Sequence, residues 1–215
     1  MSPQTTNTSE KNVKAPKRVA AEAPSIWKPP LPKAGDGDKG VIFHAVGHAL
    51  SDWGNFEAAL GGLFSAFVAG DGFPVIAGRV FGAIRTAEGR REMLSHAGTA
   101  YFAIHSEDQE DERLFKKIVM SAQSSVSVRN NIAHGVVSVY FASSDSGPNG
   151  FCLQPQDYDS SKRTVWGSPS FAYTSAILLD FASEFAKLTA DPHALARVIR
   201  ARARASRDKQ KQLGF

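Results

Sequence analysis

The chain has 215 residues, 42% of them apolar, enough for one sizeable core or for one core with extended tails. A single cysteine, Cys152, excludes a disulfide framework and fits a reducing, cytoplasmic setting; no run approaches the roughly 20 apolar residues of a membrane span, and the polar start predicts no export leader. The net charge of +4 is uneven: residues 1–40 hold seven Lys/Arg against four Asp/Glu, residues 193–215 seven against one, and residues 41–192 eleven against sixteen, so the basicity belongs to the ends.

Residues 1–40, rich in Pro, Lys, Ser, Thr and Ala, lack apolar periodicity and read as a disordered basic tail with Trp27 as its one anchor. The string Gly35-Asp-Gly37-Asp-Lys-Gly40 matches a dinucleotide-binding pattern in spelling only. A proline-rich linker precedes it where a strand is required, so it reads as a hinge. From 43 to 68, Val46, Ala49, Leu50, Trp53, Phe56, Leu60, Leu63, Phe64 and Phe67 follow the three-four spacing of an amphipathic helix. Glu57 falls inside that stripe, where a lone carboxylate is costly to bury, and is expected to face Arg129 or His134. His44 and His48 are one turn apart, but no third ligand follows at a recognisable spacing, so neither a metal nor a cofactor is implied.

Pro74 can open a second helix whose apolar face, starting with Ile76, Val80, Phe81 and Ile84, runs to about residue 105, with Gly89 as its break. Arg79, Arg85, Arg90 and Arg91 fit a solvated face better than a phosphate-contacting one. Acid at 107–112 suits the first turn of a third helix, and Leu114, Phe115, Ile118, Ala122, Ser125, Val126, Val128 and Ile132 form its stripe.

That helix ends in Arg129-Asn130-Asn131-Ile132-Ala133-His134-Gly135, the one place where guanidinium, carboxamide and imidazole crowd together. Asn130 and His134 are one turn apart, and Arg129, pointing roughly 140° from His134, shares a side with Val126 and Ala133 and leans toward the packed face. Gly135 reads as a left-handed terminator, which puts His134 in the last turn; an imidazole titrating near neutrality suits proton transfer. The commonest meaning of an arginine and a histidine so spaced is a capped, ion-paired helix end.

The string Arg-Asn-x-Ile-Ala-His-Gly nevertheless resembles the signature of the HEPN superfamily, and the helical layout of residues 43–190 is similar to that family's. The residue pattern and the resemblance together predict a mainly α fold: a HEPN-like helical bundle over residues 41–192, into which the change of period after Gly135 inserts a short antiparallel β-meander before the last core helix. The resemblance also implies a homodimer that brings two motif helices together, and a metal-independent endoribonuclease acting on RNA. In that scheme His134 transfers protons, Arg129 stabilises charge on the phosphate, Asn130 orients the phosphate or the histidine, and Glu57 orients or tunes them. Two other classes stay open: a non-catalytic module of a toxin–antitoxin or defence system, and a nucleic-acid-binding protein working through its basic tails.

After Gly135 the period changes to two. Val137, Val139 and Phe141 alternate with small or polar residues, and residues 150–153 and 163–166 are further strand candidates, with Tyr158 and Trp166 better placed for packing than for base stacking. Thr174 or Ser175 can cap a final core helix carrying Ile177, Leu178, Phe181, Phe185 and Leu188. Asp191-Pro192 then opens an Ala/Arg helix over about 193–210, with few apolar residues, that is expected to project, meet a partner or contact phosphates and not to sit in the core.

Overall fold

The structure, a computed structural model, describes residues 26–70, 72–142, 147–156 and 169–213. It is mostly helical: α1 (Lys39–Ala69), α2 (Pro74–Ala83), α3 (Ala87–Ile104), α4 (Gln109–His134), β1 (Val136–Val139), β2 (Phe151–Gln154), α5 (Ser175–Leu188) and α6 (Ala190–Gln212). β1 and β2 pair antiparallel, with Val137 opposite Leu153. The 163–166 strand candidate, and with it Tyr158 and Trp166, lies outside the described residues.

α1 is the axis. Its 31 residues span roughly 46 Å, and it packs against each of the other five helices. Ile42, Ala49, Trp53, Phe56, Leu60 and Leu63 form one buried row, while Ala59, Phe64 and Ala66 widen it until more than one side is covered. α5 lies along it, and Trp53 meets Phe185 edge-on at 5.3 Å.

The expected hinge is a tie. Asp36 exchanges two backbone hydrogen bonds of 2.8 Å with Phe151, giving β2 a partner on the edge that β1 leaves open. Its carboxylate accepts from the backbone N–H (2.7 Å) and hydroxyl (2.8 Å) of Ser175, so a residue 139 positions away caps the start of α5. Thr174 caps the same end by accepting from the Ile177 N–H, and two residues beyond Asp36 the Asp38 side chain caps α1 through the Gly40 N–H. Trp27 stacks on Phe181 and Phe185 with centroids 6.0 and 5.3 Å away. Residues 26–38 are therefore packed structure, and the boundary at residue 40 does not mark where the fold begins.

The apolar run from Ile76 to 105 breaks earlier than Gly89. α2 ends at Ala83, and Thr86 caps α3 by accepting from the Gly89 N–H, so Gly89 belongs to the first turn of α3. On α2 the buried residues are Ala77 and Phe81, while Ile76 and Val80 of the predicted face are exposed. A Cβ added to Gly98 on α3 would sit 2.2 Å from Cζ of Phe115, so that glycine is what lets α4 seat its first core ring against α3.

The basic C-terminal helix does not simply project. Leu195, Ala196 and Ile199 are buried, Arg200 donates to the Gly62 carbonyl at 2.9 Å, and Arg202 pairs with Asp108 (2.8 Å) and Asp111 (2.7 Å). The acid expected to serve the α4 dipole thus also clamps α6. From Arg204 onward the described residues of α6 are exposed, so a boundary at 192/193 cuts through a helix whose first half is core.

Gly98→Ala gains roughly 1 kcal/mol of helix propensity but overpacks a buried ring, which typically costs 1–3 kcal/mol; a net loss of about 1 kcal/mol is expected in urea unfolding. Asp36→Ala removes two charge-assisted bonds at the start of α5 and should cost about 1–3 kcal/mol in the same measurement, more than Asp38→Ala, whose single exposed cap bond spans two residues.

Candidate functional site

The motif occupies the last two turns of α4, whose buried row is Phe115, Ile118, Ala122, Ser125, Val128 and Ile132. The final stretch of that row runs through Val128 and Ile132. Ala133, expected on the packed side with Arg129, is exposed, and Arg129 lies half-buried at the border. His134 is exposed and Asn130 half-buried, so imidazole and carboxamide line the open sector of the helix end, with the guanidinium at its edge.

Arg129 donates through NH1 to Oδ1 of Asn130 at 3.1 Å, a neighbour-to-neighbour bond that fixes one arm of the guanidinium fork. Its Nε is buried and meets no acceptor among the described residues. A buried donor left unmatched costs about 1–3 kcal/mol, and with Nε closed off, the terminal nitrogens at the border of the helix end are the part of the fork an outside group can meet.

The helix end is held from behind. Asn131 donates to the Tyr173 hydroxyl at 3.1 Å, and Tyr173 in turn exchanges two backbone bonds of 2.9 Å with Leu153 of β2. Burial pushes the Tyr173 hydroxyl up, opposed in part by the Asn131 bond, so it serves as a neutral strut. The Gln156 amide donates to the His134 carbonyl at 3.2 Å, and the Gly135 N–H to the Asn131 carbonyl at 2.9 Å, satisfying two of the carbonyls that a helix leaves open at its end. Gly135 itself is extended (φ −73°, ψ 160°) and not left-handed. Glycine is needed there for room: a Cβ would lie 2.8 Å from the Asn131 carbonyl oxygen and 2.9 Å from Cγ of Leu153.

Glu57 is not part of this site. Its carboxylate pairs with Arg90 on α3 at 2.9 Å, and Nε of Arg90 donates to the Ile84 carbonyl at 2.8 Å. Arg90 therefore joins α1 to the end of α2, in a cleft of about 560 Å³ where glycines bring the helices close. The expectation that Glu57 faces Arg129 or His134 fails because its direction on α1 leads to α2 and α3, whereas α4 meets the core through Val128 and Ile132. The arginine it needed was Arg90, counted in the sequence among the solvated ones.

Cys152 is fully buried on β2; burial first, and the Asp36 carboxylate second, push its thiol up to about 12, so it stays protonated at neutral pH. His44 and His48 stack edge to face at 4.6 Å. Among the described residues, the side chains grouped closely enough to share a metal ion are His105, Glu107 and Asp108, at the turn between α3 and α4, and Asp108 already pairs with Arg202. No described helix is long and apolar enough to cross a membrane.

Tyr173 and Gln156 were invisible as site residues, because each reaches the motif only through the fold of β2 and of the chain immediately C-terminal to it. Compared with family models, curated proteins and solved structures, the chain matches none.

A double-mutant cycle of Glu57→Gln and Arg90→Met should show a coupling of about 1 kcal/mol in urea unfolding, whereas Glu57→Gln and His134→Ala should be additive. Coupling to His134 instead would return Glu57 to the motif.

Proposed function

We propose that the end of α4 is an RNA-cleaving site of HEPN type, working without a metal. The observation that carries this reading is the guanidinium of Arg129, held on one arm by Asn130, at the edge of the same helix end as an exposed imidazole. A phosphodiester offers the terminal nitrogens of that guanidinium the paired oxygens that arginine recognises. His134 then accepts the proton of the ribose 2′-hydroxyl as its oxygen attacks phosphorus. The bond to the 5′-oxygen breaks, that oxygen takes up a proton from water, a 2′,3′-cyclic phosphate remains, and the imidazolium of His134 returns its proton to solvent. Charge built up on the non-bridging oxygens is stabilised by Arg129, which Asn130 keeps oriented. Tyr173 and Gln156 keep the helix end in place without touching substrate.

The family resemblance adds a homodimer in which two α4 ends face one cleft. An exposed helix end, with its polar groups on the open sector and its anchors behind, fits that arrangement. Glu57 is left out of the proposed machinery. A second reading, binding without cleavage through the exposed basic end of α6, is favoured by the exposure of Lys209 and Lys211 beyond the packed half of that helix.

Purified full-length protein incubated with total RNA in EDTA should release fragments ending in cyclic phosphate. His134→Ala should lower the rate by about 10²–10⁴-fold, the usual contribution of a general acid–base group, and Arg129→Ala by a comparable amount at unchanged melting temperature. Cleavage that survives His134→Ala, or no cleavage by the unaltered protein, rejects the proposal.

A further inference from the structure

Two cavities on α4 lie side by side. A slot of about 650 Å³ lies between α3 and α4, with Phe102, Phe115 and Val119 on its floor. A shelf of about 500 Å³ on α4 is bounded by Arg113, Lys117 and Ser124. Lys116 and Met120 line both, so the apolar slot and the cationic shelf flank the same two side chains. Met120 is 70% exposed above it.

The charge along this helix has one sign. From residue 113 to His134, α4 carries Arg113, Lys116, Lys117 and Arg129 and no carboxylate, although residues 41–192 as a whole hold sixteen Asp/Glu against eleven Lys/Arg. Lys116 pairs with Glu112, which also lines the slot, and Lys117 with Asp191. Both lysines are about two-thirds exposed, and exposed pairs of this kind contribute little and exchange readily for a phosphate. Between shelf and motif, Ser124, Ser127 and Asn130 present hydroxyl and amide groups on accessible parts of the helix. The distance from Lys117 to His134 along the axis is roughly 25 Å, in the range covered by single-strand sites of a few nucleotides.

We propose that the α3–α4 groove binds single-stranded RNA, with a base over the apolar slot and the backbone phosphates on Arg113, Lys116 and Lys117, and that the strand follows α4 to the motif. This rests on the reading of the α4 end as an RNA-cleaving site and names where its substrate is held. A single strand fits better than a duplex because the slot takes a face of an unstacked base, which a helix keeps covered. The absence of any acid on α4 beyond Glu112 suits a polyanion.

The test uses full-length His134→Ala protein in EDTA, so that RNA is not consumed, and a fluorescein-labelled 20-nucleotide unstructured RNA followed by anisotropy. Adding Arg113→Glu, Lys116→Glu and Lys117→Glu should weaken binding at least tenfold. The slope of log affinity against log salt should become shallower by about 2, as three single-strand phosphate contacts require. The neutral pair Arg113→Gln and Lys117→Gln, which leaves the Lys116–Glu112 pair intact, should give a smaller loss in the same direction; melting curves establish that each variant is folded. Unchanged affinity and slope in both variants overturns the proposal, as does equal affinity for a duplex of the same length, loss of binding only on deleting 204–215, or displacement of the probe by an acidic peptide at equal charge concentration. Cleavage by the unaltered protein with binding indifferent to these charges rejects the groove alone, whereas charge-dependent binding with no cleavage rejects the cleavage reading alone.

Discussion

The burial of α1 on several sides governs this molecule. A helix with a single apolar stripe needs only one partner layer, but α1 widens its stripe with Ala59, Phe64 and Ala66 and so must be wrapped. α5 lies along the row that contains Trp53 and Phe56, while α2, α3, α4 and α6 cover the rest. Small residues set how closely those neighbours approach: Gly61 faces the Phe81 ring of α2, and the Gly62 carbonyl receives Arg200 of α6. Polar residues on the flanks of α1 are then caught between helices, which is why Glu57 ends in an ion pair with Arg90 and not near the motif.

The small sheet is the second organising element, out of proportion to its size. β2 is central to it: β1 pairs with one edge, while Asp36 and Tyr173 each bridge to the other. Through those bridges, segments from before α1, after α4 and before α5 meet at one place. The consequences are mechanical. Asp36 caps α5, Tyr173 holds Asn131, and Gln156, just past β2, holds the His134 carbonyl. The motif thus sits at the exposed end of a helix that is tied to a strand packed against the helical core.

This arrangement separates positioning from chemistry in the proposed site. The groups able to act on a phosphodiester, Arg129, Asn130 and His134, come from six consecutive residues and need only a helix to be brought together. The groups that hold that helix end still come from far along the chain. In the proposed site the guanidinium has one arm fixed by Asn130, and from residue 113 to the motif α4 carries no carboxylate.

Most of the helices, the antiparallel pair after Gly135 and the buried row of α4 were legible in the sequence, because periods of 3.6 and 2 are local properties of the chain; the division of residues 74–104 into α2 and α3 was not. The placement of Arg129, Asn130 and His134 at one helix end was legible too, and of these the structure shows Arg129 bonded to Asn130. What the tertiary structure alone decided were the pairings between distant segments: Glu57 with Arg90, Asp36 with Ser175, Asn131 with Tyr173, and Arg202 with Asp108 and Asp111. Short-range spacing shows that a half-buried charge needs a partner, but not which of several arginines arrives. That depends on helix rotation and on how closely glycine lets two backbones pass, and both are set by the packing of the whole core.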